Sequence, residues 1–123
     1  MAWQFENNLP IYTQILEQIR LGIISGVYPA GSKLPSVREL ASEASVNPNT
    51  MQRALAELEQ SGLIYTQRTA GRFVTEDLDM IGKLKKNIAE EQIRKFFQSM
   101  LELGFTEEET IQLMEKAVKE TKL

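Results

Sequence analysis

The apolar pattern of this 123-residue sequence predicts a mainly α-helical chain with one small β-hairpin. Three observations predict it. Ile11, Ile15, Ile19 and Ile23 recur at four-residue spacing, which puts them in one row on a helix. The pattern becomes strand-like over residues 63–67 and 72–74, on either side of the tip Arg68-Thr69-Ala70-Gly71. From Glu76 the helical period returns and continues to Leu103. Two short helices joined by a tight turn precede the hairpin, so residues 1–75 have the order of a winged helix-turn-helix domain. Residues 76–123 follow as a two-helix segment.

The elements are justified in chain order. Residues 1–9 form an arm carrying Trp3 and Phe5 on one side of an extended stretch. The first helix starts near Pro10, with Tyr12, Leu16 and Ile24 beside its isoleucine row, and stops by Gly26. Residues 27–31 are rich in breakers and make a turn. Ser36 and Glu39 have capping-box spacing, and Leu40, Ala41 and Ala44 give the short helix they open an apolar face. After Ser45-Val46, Asn47 can cap the next helix, and Pro48 suits its first position, where no amide proton is needed. Gly62 can take the left-handed conformation that ends it.

In that helix Met51, Ala54, Leu55 and Leu58 form the apolar stripe. The other side shows Asn49, Gln52, Arg53 and Gln60, with Asn47 and Thr50 at the leading end. Amides pair with adenine edges and guanidinium with guanine, so this face has the chemistry to read a DNA major groove. The plain alternative is an amphipathic surface helix with a solvated outside. The tip carries the same ambiguity: Arg68 and Arg72 either touch phosphate or the minor groove, or stand in water.

The long helical stretch carries Leu78, Ile81, Leu84, Ile88, Ile93, Phe96, Phe97, Met100 and Leu103. At about 1.5 Å per residue it is a rod of roughly 40 Å. Gly104 and Phe105 break it. Thr106 and Glu109 make a second capping box, and Ile111, Met114, Ala117 and Val118 line one face of the last helix. Lys116, Lys119 and Lys122 complement its C-terminal dipole. These apolar faces exceed what one small subunit can cover, so a homodimer that exchanges the C-terminal helices is expected; the alternative is folding back onto residues 1–74.

Composition narrows the functions. The net charge is −3, but residues 1–74 carry six basic and six acidic side chains while residues 75–123 carry eight and eleven. The acidity therefore lies away from Lys33, Arg38, Arg53, Arg68 and Arg72, and a local cationic cluster is what phosphate contact needs. The sequence has no Cys and no His, which removes disulfides, thiolate chemistry, and the commonest general base and metal ligand. No apolar run has the length of a membrane span and the start lacks a signal-peptide pattern, so a cytoplasmic protein is expected. Ser32, Ser36 and the scattered carboxylates lack the partners that catalysis requires. No enzyme activity, cofactor or metal is expected.

Several stretches together resemble the GntR family of transcription regulators: Pro10-Ile11-Tyr12-Thr13-Gln14-Ile15, Leu34-Pro35-Ser36-Val37-Arg38-Glu39-Leu40-Ala41, Asn47-Pro48-Asn49-Thr50, Leu58-Glu59-Gln60-Ser61-Gly62-Leu63-Ile64 and Gly71-Arg72-Phe73-Val74. The Asn-Pro-Asn-Thr form and the short helical pair are similar to the YtrA subfamily. The resemblance implies a dimeric winged-helix repressor of double-stranded operator DNA. It implies DNA contacts from Arg38, Asn47, Asn49, Thr50, Gln52 and Arg53, and a wing-tip role for Gly71. Two positions depart from the pattern: Pro48 stands where many members have a base-reading arginine, and Thr69 where the first wing glycine is usual. With 49 residues after position 74, no dedicated small-molecule effector pocket is expected. The competing class is a winged-helix module that binds protein and has no specific DNA binding.

Overall fold

The computed structural model describes residues 2–121. Seven elements follow one another: α1 (Ile11–Ile24), α2 (Val37–Ala44), α3 (Pro48–Gln60), β1 (Ile64–Gln67), β2 (Gly71–Val74), α4 (Leu78–Glu102) and α5 (Glu107–Thr121). This is the mainly helical, single-hairpin architecture of a winged helix-turn-helix. The chain divides between Leu84 and Lys85 into two compact units.

The first unit is built on the packing of α1 and α2 against α3. Ile15, Ile19, Leu40, Met51, Leu55, Leu58, Leu63, Ile64 and Val74 are fully buried. Burying each such side chain contributes about 1.5–3 kcal/mol, so these residues fix which face of each helix is left outside. Ile11, at the head of the isoleucine row, is the exception and stays exposed. Met80, Ile81 and Leu84 of α4 lie against the same core.

Helix ends are set by local chemistry. Ser36 and Glu39 form the expected capping box on α2. Asn47 caps α3, its side-chain oxygen accepting from the Asn49 amide at 2.8 Å. Both helices stop in the same way. The amide of Val46 bonds Ala41 O across Ser45, and that of Leu63 bonds Leu58 O across Gly62. The pivot must be left-handed. Gly62 adopts φ +85° freely, whereas Ser45, in the tight turn between α2 and α3, is held at φ 56° despite its side chain. Asp77 opens α4, its carboxylate accepting from the Met80 amide, one residue after the expected start at Glu76.

The hairpin pairs Ile64 with Val74 through to Gln67 with Gly71. A third piece of sheet adds to it. Lys33 bridges Phe73; the Leu34 amide donates to Arg72 O and the Val74 amide to Ser32 O, both at 2.9 Å. Residues 32–34 lie between the turn and the start of α2 without a strand pattern of their own, because a pairing three residues long leaves no alternation to detect.

The arm lies along α1, held by two glutamine side chains that mimic backbone. Gln18 accepts from the Gln4 amide and donates to Gln4 O at 2.7 Å. Gln14 accepts from the Glu6 amide at 2.7 Å and donates to Glu6 O and Leu9 O. Trp3 and Phe5 stack with centroids 6.2 Å apart and pack on the core.

In the second unit the chain turns at Gly104, φ +98°. Thr106 and Glu109 form the second capping box, with Thr106 Oγ1 accepting from the Glu109 amide at 3.1 Å. The Thr106 amide in turn holds the Glu109 carboxyl below its ordinary value. Thr110 is buried, donating to Thr106 O at 2.8 Å. Otherwise Phe96, Leu101, Ile111, Leu113, Met114 and Val118 are exposed. An open groove of about 430 Å³ is lined by Phe97, Ile111, Met114 and Val118. Lys122, of the expected C-terminal lysine cluster, lies outside the described residues.

Candidate nucleic-acid interface

The buried stripe of α3 dictates its outer face. With Met51, Ala54, Leu55 and Leu58 inward, Asn49, Gln52, Arg53, Ala56 and Gln60 are exposed, and Thr50 is half-buried at the leading turn. Asn49 and Gln52 therefore present primary amides to solvent from one side of the helix. Asn47 makes the cap its position predicts. Its oxygen is taken by the Asn49 amide, which leaves its NH₂ for an external acceptor.

The four arginines differ in what holds them. Arg38 is exposed in the first turn of α2. A cation at the positive end of a helix gains nothing from the helix dipole, so its charge is available to an outside anion. Arg68 is exposed at the hairpin tip, where the Ala70 amide closes the turn on Gln67 O at 3.1 Å. Arg53 lies over the ring of Tyr12, with its guanidinium carbon 3.6 Å from the ring centroid.

Arg72 differs from its sequence expectation as a free flanking cation. Its Nε donates to Glu59 Oε1 at 2.6 Å, and Thr66 Oγ1 donates to the same oxygen at 2.6 Å. One carboxylate on α3 thus ties both strands of the wing to the helix. The Thr66 hydroxyl and then Arg72 hold the Glu59 carboxyl below its usual value against the opposing effect of burial. Arg72 is partly buried by this, and only its terminal nitrogens are left for another partner.

Gly71 has φ +108°, and a Cβ there would come within 3.1 Å of Lys33 Cε. The lysine stem crosses the glycine, which brings a further cation to the wing through the short third strand. Lys33 is one of the central cations of the sequence, but nothing local places it at the wing; its link to Gly71 spans 38 residues of chain.

Among the described residues no group of acidic, His or Cys side chains could hold a metal ion, and no helix is long and apolar enough to cross a membrane.

A helix-turn-helix with an attached wing, a capped helix showing amides outward and arginines around it, defines a protein of the DNA-binding regulator class. The chain belongs to the gntR family of bacterial regulatory proteins, whose model matches residues 11–74. It is 44% identical to the HTH-type transcriptional repressor YtrA of Bacillus subtilis, over 58% of this chain and 55% of that one. A GntR family transcriptional regulator from Listeria monocytogenes has the same fold at TM-score 0.84 and 45% identity, covering 91% and 98% of the two chains. The DNA-binding domain of AraR, solved in complex with operator ORX1, matches at TM-score 0.56 and 29% identity, covering 61% and 96%. These relatives are transcription regulators and not enzymes.

Proposed function

We propose that the protein is a cytoplasmic repressor that binds a twofold-symmetric operator as a homodimer, one α3 to each half-site. The observation that carries this reading is the exposed pair of amides, Asn49 and Gln52, beside Arg53 on α3. Those three side chains read base edges. Arg38, Thr50, Arg68 and the terminal nitrogens of Arg72 hold phosphate or the minor groove, the Asn47 NH₂ reaches phosphate, and Gly71 lets the wing backbone approach. Phosphate contacts set register and salt dependence while base contacts set sequence preference. AraR's complex with its operator supports DNA as the partner, and the name of YtrA supports repression.

The second unit's chemistry supports pairing through α4 and α5. Exposed apolar side chains at Phe96, Leu101, Ile111, Leu113, Met114 and Val118 are more than a monomer surface carries without use. A second copy covers them and supplies the second α3 that a symmetric site needs. No cofactor or small-molecule effector is required.

The test is selection of bound duplexes from a random library at two salt concentrations, with sedimentation of the free protein. A palindromic consensus, affinity that falls with salt, and a dimer that Val118→Lys dissociates are the expected results. Weak binding without sequence preference would favour a protein-interaction module instead.

A further inference from the structure

Two arginines of the first unit are held in opposite ways, and the contrast has a consequence. Glu59 holds Arg72 by consuming a donor, since the Nε–H is spent on the carboxylate. Arg53 is held over a ring: its guanidinium carbon lies 3.6 Å from the Tyr12 ring centroid, a separation that suits face-to-face contact, and among the described residues no carboxylate pairs with it. The N–H donors of a guanidinium point outward in its own plane. A ring beneath that plane fixes the group while leaving every donor free. Tyr12 suits the task because it is half-buried in the first turn of α1, and α1 packs directly on α3.

Resting on the proposed reading of bases by α3, we infer that Tyr12 is a positioning residue for that reading, its ring pre-orienting Arg53 toward a base edge. An unstacked arginine must give up its rotamer freedom when it binds. A stacked one has given it up already, so the ring adds to the affinity for the matched base pair and nothing to sequence-independent binding. An exposed cation–π contact of this kind corresponds to a factor of about two to five in affinity.

The experiment compares the unaltered protein with Tyr12→Leu and Tyr12→Phe, on the selected duplex and on one mismatched at the pair read by Arg53. Tyr12→Leu is expected to lose about two- to fivefold on the selected duplex and to keep its affinity for the mismatched one. Tyr12→Phe keeps the ring and is expected to bind like the parent. In an Arg53→Met background, which has neither the charge nor the planar fork, Tyr12→Leu is expected to be silent. The Arg53 Nε–H resonance of the free protein is expected to show a ring-current shift that Tyr12→Leu removes and Tyr12→Phe retains. Equal losses for Leu and Phe would make the hydroxyl a phosphate contact and overturn the inference, as would equal losses on both duplexes. A missing ring-current shift overturns it with base reading intact. Absence of sequence preference in the unaltered protein overturns the base reading itself, and this inference with it.

Discussion

Removing the Glu59 carboxylate is expected to free the wing from α3. Glu59→Gln keeps the volume and an acceptor for the Thr66 hydroxyl but loses the charge that Arg72 Nε meets at 2.6 Å. The two side chains are 21% and 32% exposed, which sets the magnitude. A buried hydrogen bond to a charged group contributes about 1.5–3 kcal/mol, and a fully solvated pair about 0.2–1. This pair lies between them, so Glu59→Gln is expected to cost about 1 kcal/mol. Glu59→Ala also strands Thr66 and is expected to cost about 2 kcal/mol.

The sign of the pH dependence follows from the lowered carboxyl. The folded state binds the Glu59 proton more weakly than the unfolded chain does. Its contribution is therefore fully present above the ordinary carboxylate range and is lost as pH falls through the lowered value. Urea unfolding of the parent and Glu59→Gln at fixed protein concentration, at neutral and at strongly acidic pH, measures both effects. The deficit is expected at neutral pH and to shrink on acidification. Equal stability at neutral pH, or a deficit that acid leaves unchanged, refutes the reasoning.

Three further outcomes are expected. Asn47→Ala removes the cap of α3 and should cost about 1 kcal/mol in the same urea assay. Ser45→Gly relieves the left-handed pivot between α2 and α3 and should raise stability by about 0.5–1 kcal/mol, while Ser45→Val should lower it. Arg68→Ala should weaken binding to all duplexes alike and reduce the slope of log affinity against log salt by about one.

What could be read from the sequence was local. Ser36 with Glu39, Asn47 before Pro48, Gly62 and Gly104 each act within a few residues, so the boundaries of α2 and α3 and the end of α4 follow from spacing and cap chemistry. The outer face of α3 was legible for the same reason, being whatever the Met51–Ala54–Leu55–Leu58 stripe leaves outside. What escaped was contact between distant positions. Glu59 and Arg72 are thirteen residues apart, and Tyr12 and Arg53 forty-one. Nothing in either neighbourhood marks one arginine as braced by a carboxylate and the other as stacked on a ring. The third strand at residues 32–34 escaped because the edge of β2 makes it a strand, not its own composition. Gln14 and Gln18 carry no local mark of their role, since their use as stand-ins for backbone depends on where the arm lies.

The most direct measurement on base reading by α3 is duplex selection repeated with Gln52→Ala. One symmetric pair of positions in the consensus is expected to lose its preference, with affinity for the parent's site falling by about 1–3 kcal/mol and the other positions unchanged. Recovery of the parent's consensus at undiminished affinity would contradict the placement of Gln52 at a base edge. The same outcome with Asn49→Ala and Arg53→Ala would remove α3 from the interface altogether.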